Sequence, residues 1–461
     1  GSRLEGGEGT NTLNGGDGLD FLGTNETDDA FFKIPDNITS APASTGIDIM
    51  AGGKQADLYY VDNAADTVTE TDNGVELGFL GNGDIVVTIL SSYALGDFVE
   101  NLLYRGIEGT AFTGIGNAAD NWIIGGTGAN TLSGLAGNDV LFMTDGGATV
   151  SSTLDGGTGE DTLFYTATNA ATIDLSDSTQ NTGAAAGDKF AGIEHATVDA
   201  LTVSVLGTAA PNKLPVLSTG GGTLAGLGGI DILTGGVGND TLDGGTNPET
   251  GAGAGGDQMF GGAGNDTYMV DSAYDYIDEG GGGTTNLGGP TDVDAIVSSA
   301  YFWWDYFSVG ENLTIAEGAS TKDVTGAEVG LSTIVGGGFD STLRGNSGAN
   351  NIYANWGNDT VFAGAGIDHI DFTDRAAGAT GANRLIFEVG NGYDIVWNFL
   401  PGTDKLDVSA FGIANISALK KLGFDDGIGN CFFALGDGTD YLYVIGQQLE
   451  ALGSGDFVFA T

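Results

Sequence analysis

Gly235-Gly236-Val237-Gly238-Asn239-Asp240-Thr241-Leu242-Asp243 is a nine-residue phrase that recurs along this chain, as at 15–23 with Asp20 and at 261–269 with Asp266. Its two halves are unlike. The glycines let the backbone turn through positive φ and aim carbonyls into the turn. The acid at position six adds a hard anionic oxygen, and the apolar residue at position eight starts a short strand that needs a core. Oxygen-rich turns alternating with short strands imply an all-β parallel solenoid whose turns suit calcium.

Placed in register, the phrase forms arrays. Gly116, Gly125 and Gly134 open one, with Asn121, Asn130 and Asp139 at position six. Gly336, Gly345, Ala354 and Ala363 open another, giving Ser341, Asn350, Asp359 and Asp368. The longest, 226–269, presents Asp231, Asp240, Glu249, Asp257 and Asp266, with one residue missing around Gly251. Leu233, Leu242 and Met259, two places after an acid, are expected to stack in the core.

A longer repeat lies above the nonapeptides. Asp57-Leu58-Tyr59-Tyr60-Val61-Asp62 matches Asp266-Thr267-Tyr268-Met269-Val270-Asp271, and Val68 with Glu70 matches Ile277 with Glu279. Glu100-Asn101-Leu102 likewise matches Glu311-Asn312-Leu313. The expected organisation is an N-terminal repeat segment (1–45), a first solenoid module (46–165), a degenerate stretch of further strands (166–219), a second module (220–372) and a C-terminal cap (373–461). In the cap, 384–389 and 394–399 read as strands and 417–422 as a short helix. A solenoid needs its open end covered.

Composition narrows the class. There are 84 glycines but only 7 prolines and no Gly-x-y period, so collagen is excluded; 41 % apolar residues is too many for a disordered linker. Acids outnumber bases 62 to 13, a formal net charge of −49. Such a chain repels nucleic acid and anionic membranes. Without cations that many like charges oppose compaction, so folding is expected to be coupled to calcium. Cys431 is the single cysteine, set among apolar residues, and reads as a buried free thiol. No apolar run is long enough to span a bilayer. No N-terminal signal peptide is visible, and the opening Gly-Ser reads as the start of a fragment.

The nonapeptides resemble the RTX, or haemolysin-type, calcium-binding repeats of bacterial secreted proteins. The units at 57–139 and 266–359 are similar to modules of long RTX proteins, and Gly192-Ile193-Glu194-His195 to another recurrent RTX segment in which His195 replaces an amide. The tail from Gly390 through Gly402-Thr403-Asp404-Lys405-Leu406-Asp407 resembles the serralysin C-terminal domain, and Asp456-Phe457-Val458-Phe459 a type I secretion signal. The resemblance implies a right-handed parallel β-roll with two nonapeptides per turn and Ca2+ held between loops by carbonyls and position-six aspartates. The ligands it implies are Asp231, Asp240, Asp257, Asp266, Asp359 and Asp368, with Asp20, Asp57, Asp139 and Asp161 in shorter arrays. Asn130, Asn350 and Ser341 depart from the pattern, which implies turns that bind weakly or are held by hydrogen bonds alone.

No catalytic constellation stands beside this pattern. His195 and His369 are the only histidines, no His-Glu-x-x-His or Gly-x-Ser-x-Gly is present, and both histidines read as packed or surface residues. Gly251-Ala252-Gly253-Ala254-Gly255-Gly256 spells a dinucleotide fingerprint but follows no βαβ pattern. One stretch departs from the repeat, Tyr301-Phe302-Trp303-Trp304-Asp305-Tyr306-Phe307. Its Tyr301, Trp303, Trp304 and Tyr306 either pack on the solenoid flank or offer an exposed contact for a subunit or a sugar ring. The expectation is a secreted, non-enzymatic calcium-binding protein of a surface layer, matrix, fibre or adhesin. Its expected partners are calcium, further copies of itself or cell-surface polysaccharide, and the type I export apparatus. The alternatives are the export and folding module of a larger RTX enzyme or toxin, and a glycan-binding module.

Overall fold

A computed structural model describes residues 3–6, 10–17, 21–24, 46–54, 56–71, 83–144, 150–247, 255–272, 274–277, 294–298, 311–315, 332–335, 340–354, 357–372, 381–436 and 438–460. The chain divides into two compact units, Gly1–Gly226 and Leu227–Thr461. Both are built from short strands stacked in parallel, with almost no helix. This is the all-β, parallel β-roll architecture that the nine-residue phrase calls for.

In the first unit one wall stacks Leu58–Val61, Ile85–Thr88, Asn101–Tyr104, Trp122–Ile124, Val140–Thr144, Thr162–Thr166 and His195–Asp199. A second wall stacks Ser92–Ala94, Phe112–Ile115, Asn130–Ala136, Thr153–Thr158 and Lys189–Ala191. Where the repeat is intact, Trp122 lies beside Val140 and Phe112 beside Asn130, so one full turn consumes two nonapeptides. Successive nonapeptides therefore alternate between walls.

The period-two pattern does what it should. Tyr59, Leu141, Leu163, Leu233, Leu242, Met259, Tyr268, Val361 and Ile370, each two residues after a position-six acid, are all fully buried. The two walls meet through these side chains: a Cβ on Gly114 would lie 3.0 Å from Ile123 of the facing wall. Burying a Leu- or Ile-sized side chain contributes roughly 1.5–3 kcal/mol, so the column of position-eight residues is the main apolar source of stability.

The second unit repeats the scheme, with Thr241–Asp243, Thr267–Val270, Asp294–Ser298, Glu311–Ile315, Thr342–Arg344, Thr360–Phe362, Arg384–Ile386, Lys405–Asp407 and Phe457–Val458 along one wall. On the other, Ser332–Val335, Asn350–Tyr353, Gly366–Asp371, Gly392–Trp397 and Asp440–Val444 run parallel. There the direction reverses: Cys431–Leu435 and Gly423–Asp425 add antiparallel strands to the end of the sheet. The Cys431 thiol is buried, and burial pushes it up to about 12. The expected strands at 384–389 and 394–399 appear as Arg384–Ile386 and Gly392–Trp397, and the short helix as Ile416–Leu419 continued by Lys420–Leu422. In 166–219 the expected strands are present, among them Ala171–Asp174 and Val203–Leu206. No helix among the described residues is long and apolar enough to cross a membrane.

Candidate metal centre

The turns are set by backbone conformation. Positions two and four of intact phrases hold glycines at positive φ, as Gly236 (104°), Gly238 (118°), Gly262 (99°) and Gly264 (133°). Position one needs glycine for another reason: a Cβ on Gly235 would lie 2.5 Å from Asp240 Oδ2 and 2.7 Å from the carbonyl oxygen of Gly261 on the next turn. Gly134 is confined in the same way by Asp139 Oδ2 and the Gly156 carbonyl. The two oxygens therefore close on the bare face of the glycine, from successive turns.

Position-six residues form a ladder up each wall. The backbone N–H of Asp139 donates to Asp161 Oδ1 at 2.7 Å, and that of Asp161 to Glu194 Oε2 at 2.9 Å. The same bond joins Asp231 to Asp257, Asp240 to Asp266, Ser341 to Asp359 and Asn350 to Asp368, at 2.7–2.8 Å. In each of these pairs the lower residue donates its N–H and the side chain on the next turn accepts it. Asp57, Asp139, Asp161, Asp231, Asp240, Asp257, Asp266, Asp359 and Asp368 are all 0–1 % exposed and take part in this arrangement. The expected ligand Asp20 and the aromatics Tyr301, Trp303, Trp304 and Tyr306 lie outside the described residues, as does Glu249.

In Asp139, Asp161, Asp257, Asp266, Asp359 and Asp368 it is Oδ1 that accepts the rung bond. Asp139 Oδ2 and Asp161 Oδ2 are buried and accept no hydrogen bond. Burial pushes Asp139 up to about 7, against the N–H of Asn121 that pulls it down and the Asp161 charge that raises it further. Burial likewise lifts Asp161 to about 6 and Asp275 to about 6. Asp368 and Asp394 face each other across adjacent turns, and burial followed by the neighbouring carboxyl holds Asp394 well above the usual carboxylate range. Unpaired buried anions are strongly unfavourable, so such a ladder calls for either protons or a hard cation.

Several rungs lie outside the intact phrases. Asp84, Glu100, Glu194, Asp275, Asn383 and Asp404 accept the same N–H bond as the aspartates of intact phrases. Asp394 stands beside Asp368 in register. Its signal was present: Gly390-Asn391-Gly392-Tyr393-Asp394-Ile395-Val396 keeps positions two, four, six and eight of the phrase, with Gly390 at φ 94° and Gly392 at 90°. Among the neutral rungs, Ser341 and Asn350 donate into the ladder like the aspartates, whereas Asn130 differs. Asn130 donates its N–H to Ser152 Oγ and its side-chain amide to the carbonyls of Gly126 and Gly128, closing the turn by hydrogen bonds.

Each histidine follows a rung by one residue, His195 after Glu194 and His369 after Asp368. His195 Nδ1 accepts the N–H of Lys213 and its Nε2 lies 3.3 Å from Glu160, while burial and then Lys213 hold its pKa down. His369 occupies a half-buried strand position in Gly366–Asp371.

A family model of the RTX calcium-binding nonapeptide repeat, in four copies, matches residues 2–29, 115–149, 218–247, 252–277 and 335–370. Asp20, Asp139, Asp231, Asp240, Asp257, Asp266, Asp359 and Asp368 fall inside these stretches, and Asp57 and Asp161 outside them. No curated protein matches the chain. The residues fit the ion the repeat is named for. The donors are all oxygen, buried carboxylate oxygens such as Asp139 Oδ2 and Asp161 Oδ2 have no hydrogen bond, and at bare glycines a carboxylate oxygen and a carbonyl of the next turn approach the same point. Such a donor set suits a hard divalent cation and not zinc or copper, which favour nitrogen and sulfur. With calcium-type repeats matched in both units and their acids stacked rung on rung, the chain carries RTX-type calcium-binding nonapeptide repeats.

Proposed function

We propose that this chain is a secreted, non-enzymatic structural protein whose β-roll is held together by extracellular calcium. The observation that carries the reading is the ladder of buried position-six carboxylates, with Asp139 Oδ2 and Asp161 Oδ2 lacking any hydrogen bond. The ligands would be Asp57, Asp139, Asp161, Asp231, Asp240, Asp257, Asp266, Asp359 and Asp368, joined by carbonyls from the glycine turns. Bound calcium would neutralise the stacked anions and tie one turn to the next. Extracellular calcium modules commonly bind at roughly 10⁻⁴–10⁻³ M. A chain of this kind would stay open where calcium is scarce and close on export through a type I apparatus, for which the serralysin-like tail would be the address.

The role beyond folding would be architectural, as a surface layer, matrix, fibre or adhesin component. Support comes from the sequence, where nearly every clustered acid falls in the repeat and neither His-Glu-x-x-His nor Gly-x-Ser-x-Gly accompanies them. Solenoid ends and edges can pair with neighbours, so assembly of copies in calcium is part of the proposal. A calcium titration followed by circular dichroism and light scattering tests it. The expected result is a calcium-induced β signal followed by growth in scattering. A β signal at constant monomer size would remove the assembly role, and no β signal would remove the calcium reading.

A further inference from the structure

Glu70 belongs to no nonapeptide, yet its carboxylate is buried beside the ladder. The strand Thr67–Thr69 runs parallel to Ile47–Lys54, with Ala51 opposite Thr69, which carries Glu70 next to Gly52. Glu70 is 7 % exposed. Its Oε2 accepts the backbone N–H of Thr71 at 3.0 Å and of Gly53 at 3.3 Å, and its Oε1 is buried with no hydrogen bond at all. One carboxylate oxygen each of Asp57, Glu70 and Asp84 lie within 4.8 Å of one another, and Asp57 and Asp84 are 1 % and 0 % exposed.

We propose that Asp57, Glu70 and Asp84 form a calcium site in which a glutamate from outside the repeats completes two rungs of the ladder. The inference rests on the reading of this chain as a calcium-binding roll and adds to it a different kind of site. Two oxygens on opposite sides of calcium are about 4.6–5.2 Å apart, from bond lengths of about 2.3–2.6 Å. The three carboxylates therefore span one calcium ion.

The surroundings are shaped for this convergence. A Cβ on Gly52 would lie 2.1 Å from Asp57 Oδ2, 2.1 Å from Tyr59 Oη and 2.5 Å from Glu70 Oε1. Gly52 can be there only because it has none, and its N–H fixes the phenol by donating to Tyr59 Oη at 2.8 Å. Asp57 and Asp84 are held in place from behind, since each N–H is bound by the next rung, Asp84 and Glu100. The second unit rebuilds the same corner: the Gly261 N–H donates to Tyr268 Oη at 2.9 Å, and Asp266 Oδ2 and Tyr268 Oη crowd its Cα. The glycine–tyrosine–aspartate corner is thus kept in both units.

Calcium stoichiometry on the full chain, by equilibrium dialysis and atomic emission, tests the site with calcium alone as the probe. Glu70→Gln is expected to bind one calcium fewer per chain than wild type while regaining the wild-type β signal at saturating calcium. Asp240→Asn serves as the control for the nonapeptide sites. A full complement in Glu70→Gln, with calcium lost in Asp240→Asn, overturns this site and leaves the repeat reading standing. No calcium bound by wild type overturns both. Should Glu70→Gln not refold, anomalous scattering from wild-type crystals grown in calcium decides: a peak between Asp57, Glu70 and Asp84 upholds the site, and its absence in ordered density overturns it.

Discussion

Asn239 Oδ1 accepts the backbone N–H of Asn265 from the turn above at 3.0 Å, whereas one residue later the N–H of Asp240 donates upward to Asp266 at 2.7 Å. Neighbouring ladders thus run in opposite directions. The position-five ladder recurs where Asn138 binds Asp120 and Asn358 binds Asp340. It explains why the phrase so often reads Gly-Asn-Asp: each turn is clamped to both of its neighbours by consecutive residues. Position five is exposed, so its clamp holds without metal, while position six is buried and depends on what neutralises it.

Withdrawal of calcium should therefore loosen the roll without abolishing every turn-to-turn bond. A site saturated at 100 times its dissociation constant contributes about 2.7 kcal/mol, and stacked sites add. Chelation is expected to lower the thermal midpoint steeply and to reverse on re-addition of calcium, as read by circular dichroism. A midpoint indifferent to chelator would contradict the ladder's dependence on a cation.

Asp266 separates its two roles by substitution. Asp266→Asn keeps an acceptor for the Asp240 N–H and loses the charge, so calcium affinity should fall while calcium-free stability holds or rises. Asp266→Ala also strands that buried N–H, which costs about 1–3 kcal/mol. Urea midpoints with and without calcium check both. Equal losses for the two variants in chelator would show that the rung bond carries no weight.

The pH dependence has a definite sign. In the calcium-free chain, burial raises Asp84 from 3.8 to about 8, Glu70 from 4.5 to about 7 and Asp139 from 3.8 to about 7. Groups raised on folding contribute stability that is fully present below their unfolded values and is lost as pH rises through the folded ones. The metal-free roll should gain stability on acidification through the range of about 8 down to about 4. With calcium present, protons compete for the same oxygens and affinity should drop over that interval. Chelated unfolding curves that weaken on acidification would contradict this.

Position two tolerates a side chain at a strain cost. Leu135 and Leu227 adopt φ of 81° and 78° there, and are 50 % and 40 % exposed. A left-handed non-glycine residue costs roughly 1–2 kcal/mol, so Leu135→Gly should leave stability unchanged or raise it by up to about 1 kcal/mol after the entropy that glycine adds to the unfolded chain. Position four is different, because a Cβ on Gly264, at φ 133°, would meet the Gly238 carbonyl at 1.9 Å. Gly264→Ala should destabilise by about 1–3 kcal/mol. Differential scanning calorimetry of the two variants would settle the contrast.

Local periodicity made the roll readable. Glycine at positions one, two and four, an acid at six and an apolar residue at eight each obey a local rule, and Leu233, Leu242 and Met259 are buried as that rule requires. Rungs between interrupted phrases were less visible, because their partners are set by three-dimensional register and not by counting nines. Asp84 lies 27 residues beyond Asp57, and Glu194 lies 33 beyond Asp161, with too few glycines between to announce a turn. In the sequence Glu70 stands out only by its match to Glu279, since nothing local says that a parallel strand will deliver it to Gly52.

The rung bond is nearly the same length whether 18, 22, 26 or 33 residues separate its ends. Contour length between rungs is therefore invisible to the stack, which responds only to whether the next acid returns to the right place. In that respect the roll resembles a one-dimensional crystal in which loops are extrusions from the lattice and not faults within it. Foreign peptide grafted between Asp139 and Asp161 would leave the lattice spacing intact, making this wall a display rail as well as a scaffold.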